Sequence, residues 1–230
     1  MDIETEFPMR VFLNLGRRQD RRAQFQSRAQ NAGIEVRRFP AYDARWLKKR
    51  EAQSEQSTTG GFQSPARYAV SISKRLAIRE AKQSGMRALL LMEDDAVFSP
   101  DFREAVAALT LPEDWGIFYC GCLHVTNPKR TDYDGIVKVT RAVDMHAIAI
   151  RAPYFQRVIH AASPRTHRTE ESIRNSDVLI SDLHCDIPTY AAWPNLVWQG
   201  QGESDTTGRN NNNYSPTGEQ LWRTEHRHPM

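Results

Sequence analysis

Cysteine, lysine, net charge and long apolar runs are all in short supply in this 230-residue chain. Three cysteines cannot build the framework of bridges that holds small secreted domains together, and an odd number fits a reducing compartment. Cys120 and Cys122 are separated by one residue and Cys185 is distant, so no four-ligand zinc pattern is present. The longest apolar run, around Ala88 to Met92, falls far short of the roughly 18–20 residues that cross a bilayer, and it ends in three carboxylates. The acidic stretch Met1 to Met9 lacks the basic start and apolar core of a secretory signal. A cytoplasmic protein without an integral membrane segment is expected. Net charge is only +3, and no dense basic stripe interleaved with aromatics occurs, which argues against a nucleic-acid partner.

What is present suits one sizeable α/β domain: 40% apolar and 26% charged residues. Of the 31 basic residues only six are Lys. Arginine makes planar, bidentate contacts with phosphate and carboxylate, so the clump Arg17, Arg18, Arg21 and Arg22 could serve a phosphorylated ligand or simply form a solvated helix face.

Along the chain, strands alternate with helices. Val11 to Leu15 reads as a strand, Gln19 to Ala32 as a helix stopped by Gly33, and Glu35 to Phe39 as a second strand, together one β-α-β unit. Residues 44–63 are polar and read as a loop with one short helix near Trp46. Ser64-Pro65 then opens a helix that runs to Gly85, with Ala69, Ile72, Leu76 and Ala77 as its apolar stripe. Ala88 to Met92 has the length and continuous apolarity of a strand buried on both faces. Ser99-Pro100 repeats the cap-and-proline start for a helix to about Leu109. Strands are expected at Ile117–Cys120, Ile136–Val139, His146–Ile150, Thr189–Trp193 and Leu196–Trp198, and helices at Pro153–Ala162 and Ser176–His184. The folded domain is expected to span residues 1–206, and the polar, Asn-rich remainder 207–230 to be a flexible tail.

Glu93-Asp94-Asp95 stands where the buried strand ends. In open α/β sheets ligands bind beyond the carboxyl ends of the strands, and three adjacent anions there repel one another unless a cation joins them. Mn²⁺ or Mg²⁺ suits such hard oxygen ligands and would bridge them to a substrate diphosphate. The triplet alone leaves glycosyl transfer, nucleotidyl transfer and phosphate hydrolysis open, and an acidic turn facing water is the bland alternative.

Several segments in order sharpen this. Val11-Phe12-Leu13-Asn14-Leu15 with the charged helix after it, Phe39-Pro40-Ala41-Tyr42-Asp43-Ala44, the helix from Tyr68 to Gly85 leading into Ala88 to Phe98, and Asp177 to His184 followed by Pro194, Gln199 and Glu203-Ser204-Asp205 together resemble glycosyltransferase family 25, the lipopolysaccharide and lipooligosaccharide sugar transferases related to collagen galactosyltransferases. The resemblance covers residues 10 to 206. It implies a single-domain α/β fold of GT-A type with a mixed, mostly parallel sheet flanked by helices. It also implies a UDP-hexose donor carrying galactose or glucose, a divalent metal, and inverting transfer to a hydroxyl of a glycan, lipid-linked or protein acceptor.

Carried over by residue, the resemblance places Asn14 and Leu15 at the nucleotide pocket, Asp43 near the uracil or ribose, Glu93, Asp94 and Asp95 at the metal, and Asp205 by the donor phosphates. Asp177 becomes the catalytic base, although a helix cap is its simpler reading and Asp182 and Asp186 compete. On the central helix Ser73 is retained, but Lys74 replaces the usual His; a lysine could still meet a phosphate. His146 reads as a core histidine, His124 and His184 show no partner, and Trp193 and Trp198 read as core rather than sugar-stacking residues. The unusual Lys74 and the short chain keep a second expectation alive, a transferase-like module that binds nucleotide-sugar without turning it over.

Overall fold

A computed structural model of the protein describes residues 1–47, 65–163 and 176–205, with the backbone of 210–211. The expected 48–63 loop, the Ser64 cap and nearly all of the 207–230 tail lie outside the described residues. Two residues of that tail, Asn210–Asn211, form a short antiparallel ladder with Gly202–Glu203.

The Val11 run becomes strand β1 (Met9–Asn14), followed by helix α2 (Gln19–Asn31) and strand β2 (Arg37–Pro40); a four-residue helix α1 (Ile3–Glu6) precedes them. Helix α3 (Pro65–Gln83) leads into β3 (Ala88–Glu93), which pairs parallel with β1 on the side opposite β2. The remaining strands of the main sheet are β5 (Ile117–His124), β6 (Lys129–Arg130), β7 (Ile136–Lys138), β8 (Ala142–Arg151) and β9 (Thr189–Ala192), in the order β2-β1-β3-β8-β5-β9-β7-β6. The pairings make β8 and β7 run against the other six strands. The sheet is thus mixed and mostly parallel by strand direction.

Helices cover both faces because β3 is apolar at every position from Ala88 to Met92. Leu89 and Leu91 pack with Ala77, Ile78 and Ala81 of α3 and with α5 (Phe155–Ala161). Leu90 and Met92 pack on the other face with Phe25 and Ala29 of α2 and Phe102 and Val106 of α4 (Phe102–Ala108). Each such buried side chain contributes about 1.5–3 kcal/mol relative to exposure. The helix expected from Ser99 begins instead at Phe102 with Asp101 before it, because Ser99 N–H donates to Leu196 O at 2.9 Å and so belongs to a ladder. That ladder is unexpected: β4 (Ala96–Phe98) pairs antiparallel with β10 (Val197–Gln199). Gly121 permits the crossing, since a Cβ there would lie 1.8 Å from Val197 O.

The stripe of α3 also departs from expectation. Leu76 is exposed, while Ser73 and Lys74 are buried with Ala69, Ala77 and Ile78. This face of the helix looks at a polar centre, so the purely apolar rule does not select it.

His184 acquires partners that its sequence context conceals. Its Nδ1 accepts the Ala142 N–H at 3.3 Å, and its Nε2 lies 3.0 Å from the Tyr119 hydroxyl. Burial, helped by Arg141, pulls its pKa down to about 4 from 6.5. A proton on Nδ1 would face a donor that cannot accept it. The unfolded chain therefore binds more protons between those values, and stability is lost as pH falls from 6.5 toward 4, by up to about 1.4 kcal/mol per pH unit from this group. Urea unfolding at pH 7 and pH 5 should show a smaller acid loss in His184→Gln than in the wild-type protein. Equal losses would rule the imidazole out as the cause.

Candidate active site

The chain leaves β1 for β2 on one side and reaches β3 on the other, so a crevice opens between the carboxyl ends of β1 and β3. This is the topological switch point at which open α/β sheets bind ligands. A cavity of about 280 Å³ lies there, lined by Leu15, Tyr42, Ser73 and the arginines Arg17, Arg21 and Arg67. Six acids share the lining: Glu93, Asp94, Asp95, Asp144, Asp177 and Asp205.

These acids are arranged around buried or half-buried cations. Lys74, only 1% exposed, places its ammonium 3.0 Å from Glu93 and 2.9 Å from Asp177. Burial opposes a charge on Lys74, yet the two carboxylates hold it protonated above its ordinary pKa. One ammonium cannot satisfy two half-buried carboxylates equally. Burial pushes Asp177 up, but Lys74 and the Ser176 hydroxyl at 3.1 Å outweigh it and hold the carboxyl below its ordinary value. For Glu93 burial prevails over Lys74, and Asp95 and Asp177 add repulsion, so its pKa rises.

Arg21 forms the second centre. Its guanidinium meets Asp94 at 3.0 Å and Asp95 at 3.6 Å, and donates to the Glu203 carbonyl at 2.7 Å. Asp94 also accepts from Asn14 Nδ2 at 2.7 Å; its pKa is raised because burial exceeds these favourable contacts. Gln199, delivered by β10, donates to Asp95 Oδ2 at 3.1 Å. The other oxygen, Asp95 Oδ1, is buried and has no hydrogen-bond partner among the described residues.

That orphaned oxygen is the observation that bears on a metal. Asp94 and Asp95 have the right hard-oxygen chemistry, and Asp95 has ligand capacity that no group among the described residues uses. Glu93 does not fit the same role, because Lys74 engages it. Among the described residues no three Asp, Glu, His or Cys side chains converge as a ready-made ion cage. Of the three expected acids, Asp94 and Asp95 thus share Arg21 as a counter-ion, and Glu93 pairs with Lys74 instead.

No family model matches the sequence, and no curated protein matches it. Solved structures with a similar chain path include A197 from STIV, at 13% identity and a TM-score of 0.44, covering 88% of this chain and 93% of that one. A glycosyltransferase involved in the glycosylation of the major capsid of PBCV-1 aligns at 10% identity and a TM-score of 0.49, covering 95% and 100%. A mutant of Drosophila beta-1,4-galactosyltransferase 7, in complex with manganese, UDP-Gal and xylobiose, aligns at 8% and 0.41, covering 94% and 72%.

The structure distributes the expected residues between the cavity wall and the layer behind it. Leu15, Ser73, Glu93, Asp94, Asp95, Asp177 and Asp205 line the cavity; Asn14, Asp43 and Lys74 do not. Asn14 works from behind: it holds Asp94, donates to Arg18 O at 3.0 Å and accepts from Arg38 Nε at 2.9 Å. Asp43 caps the short 3-10 helix Ala44–Trp46 and pairs with Arg45 at 2.7 Å, a contact that, with its backbone bond to Arg45, holds its pKa at about 2 against burial. Lys74 is not presented to a ligand phosphate, since two carboxylates surround its ammonium. Ser73 accepts the Tyr42 N–H at 2.8 Å and so fixes the β2 exit against α3. Asp205 bridges Arg17 at 2.7 Å and Arg18 at 2.6 Å. Asp182 and Asp186 pair with Arg141 and Arg157 away from the lining, at 3.5 and 3.1 Å.

Asp144 was not among the expected residues. Its signal in the sequence is a lone acid in the apolar run of β8, between Val143 and Met145.

Proposed function

We propose that this chain is a GT-A type glycosyltransferase, with its domain in residues 1–206 and a tail after it. It transfers galactose or glucose from a UDP-sugar to a hydroxyl of a glycan, lipid-linked or protein acceptor, with inversion at the anomeric carbon. The supporting observation is one crevice at the β1/β3 switch point that offers guanidinium groups for a diphosphate beside an acidic pair with an unused buried oxygen. Arg17 and Arg21 would hold the phosphates, Leu15 and Tyr42 would border the nucleoside, and Asp94 and Asp95 would hold Mn²⁺ or Mg²⁺. A divalent ion there supplies neutralisation of the charge that grows on the departing nucleotide. Among the described residues no helix is long and apolar enough to cross a membrane. A cytoplasmic enzyme of lipopolysaccharide-type glycan assembly is consistent with the family resemblance.

The test is a panel of nucleotide-sugars with Mn²⁺, read by thermal stabilisation and by release of free UDP. UDP-Gal or UDP-Glc should stabilise the wild-type protein, by roughly 2.7 kcal/mol at a hundredfold excess over Kd, and should yield UDP. Asp95→Ala should stay folded and lose the release. Binding without release in the wild-type protein would favour the non-catalytic module. Pyrophosphate as product would move the assignment to nucleotidyl transfer.

A further inference from the structure

We propose that Arg38 is a positioning residue of this site: acting through Asn14, it fixes the direction in which Asp94 presents its carboxylate to the cavity. This rests on the ion-binding half of the reading above and adds to it a group that stands outside the cavity lining.

β1 and β2 run parallel, with Phe12 opposite Arg38 and Asn14 opposite Pro40. Side chains alternate along a strand, so Asn14 and Arg38 share the face on which Phe12 stacks against Phe25 of α2. From there Arg38 grips Asn14 twice. Its Nη2 donates to the Asn14 carbonyl at 3.1 Å, and its Nε donates to Asn14 Oδ1 at 2.9 Å. One guanidinium thus holds the backbone and the side chain of the same residue, a fork that a lysine ammonium does not reproduce.

This grip decides which way the Asn14 amide faces. With Oδ1 committed to Arg38, Nδ2 donates to the Arg18 carbonyl at 3.0 Å and to Asp94 Oδ2 at 2.7 Å. Both of those partners are acceptors only, and Arg38 is a donor only, so a flipped amide would lose every one of these bonds. Asn14 is 2% exposed, and water is not at hand to repair the loss.

Asp94 is then held at both oxygens, Oδ2 by Asn14 and Oδ1 by Arg21 at 3.0 Å. The two grips differ in kind. Arg21 lines the cavity and meets whatever enters it, whereas Asn14 stands behind the wall. Asn14 also ties the end of β1 to Arg18 at the start of α2, the helix whose first turn carries Arg21. The carboxylate, the helix that brings its counter-ion and the strand that leads to both are referred to one amide, and Arg38 sets that amide. Groups that orient a ligating carboxylate from behind typically change metal affinity 10–100-fold when removed.

The experiment uses the full chain as Arg38→Met, Arg38→Lys, Asn14→Ala and the double variant Arg38→Met with Asn14→Ala. Calorimetry gives the affinity for Mn²⁺ and, in chelator, for UDP; thermal melts in chelator report folding. Arg38→Met and Asn14→Ala should each weaken Mn²⁺ binding by roughly 10–100-fold. UDP affinity in chelator should stay within about threefold of wild type, because Arg17 and Arg21 remain in the wall. Arg38→Lys keeps the charge without the fork and should fall between wild type and Arg38→Met. The double variant should bind Mn²⁺ within about twofold of Asn14→Ala, since the group through which Arg38 acts is already gone.

A merely structural arginine would lower the melting temperature and leave the Mn²⁺ affinity of the folded protein unchanged, which overturns the proposal. Independent, multiplying losses in the double variant overturn it as well, and so does a loss of UDP affinity in chelator as large as the loss for Mn²⁺. Should Arg38→Met not fold, Arg38→Lys decides: Mn²⁺ affinity equal to wild type would show that charge without the fork suffices. A wild-type protein that releases UDP but binds no Mn²⁺ overturns this inference and leaves sugar transfer standing. One that binds Mn²⁺ and releases no UDP sinks the transfer reading and leaves the role of Arg38 to the affinities.

Discussion

Lys74→Met is expected to lower stability at pH 7 by about 3–5 kcal/mol, the usual cost of removing one partner from a buried ion pair. The penalty comes from what is left behind. Glu93 and Asp177 approach one ammonium from two sides, and without it they would stand as neighbouring anions in a partly dry wall. Methionine fills much the same volume, so a packing defect would not account for a loss of this size. The wild-type pair sets the pH window. Asp177 has its pKa lowered from 3.8, so its contribution is present above that value and is lost as pH falls below it. Lys74 has its pKa raised from 10.5, so its contribution is present below that value and is lost as pH climbs through the raised one. The variant's deficit should therefore be largest at neutral to alkaline pH, below the loss of the Lys74 proton. It should shrink toward acid as the stranded carboxylates protonate, Glu93 first because its pKa is raised even with Lys74 beside it. Urea unfolding of Lys74→Met, Asp177→Asn and the double variant measures this directly. The double variant should be more stable than the sum of the single losses allows, and simple additivity would show that the two groups do not interact.

Lys74 also marks where sequence reading stops. The β-α-β opening, the central buried strand, the acids at its end and the helix Ser176–Ser181 were all legible, because each follows from local periodicity and capping. The cross-chain facts were not. Nothing local says that β8 enters the sheet between β3 and β5, or that Ala96–Phe98 pairs with a strand a hundred residues later. Both depend on long-range pairing, for which Gly121 left only a faint clue. The amphipathic rule chose Leu76 over Ser73 and Lys74 because it assumes an apolar partner, whereas this part of α3 faces ion pairs. The acidic triplet was read as holding a divalent cation; that the protein sets Arg21 and Lys74 against it was not legible, since neither neighbours it in sequence. Asn14 and Asp43 were singled out as ligand contacts but serve as the wall's second layer, and motif position cannot distinguish those two roles. Asp144 was overlooked because the expected strand began at His146, and a bulge just before it leaves no periodic mark in the sequence.

Arg21→Ala should expose the ion site without relying on turnover. The Arg21 and Asp94 side chains are each 12% exposed, so their contact is shielded from solvent and salt. Removing the guanidinium should cost about 3 kcal/mol by leaving Asp94 and Asp95 uncompensated. It also frees the oxygens that a divalent ion needs, beside an Asp95 Oδ1 that is already unpartnered. Mn²⁺ should then bind the variant more tightly than the wild-type protein and return most of the lost stability, since a ligand that binds only the folded form stabilises it by mass action. Thermal melts of both proteins with Mn²⁺ and with chelator provide the comparison, and adding Asp95→Asn to the variant should abolish the recovery. If Mn²⁺ shifts both proteins equally, or neither, then Asp94 and Asp95 are an arginine's acceptors and nothing more. The nucleotide should respond in the opposite sense: losing a guanidinium from the cavity wall weakens UDP binding in chelator, while Mn²⁺ recovers part of it. Opposite movements of ion and nucleotide affinity in a single variant would identify Arg21 as a group that alternates between the acids and the diphosphate.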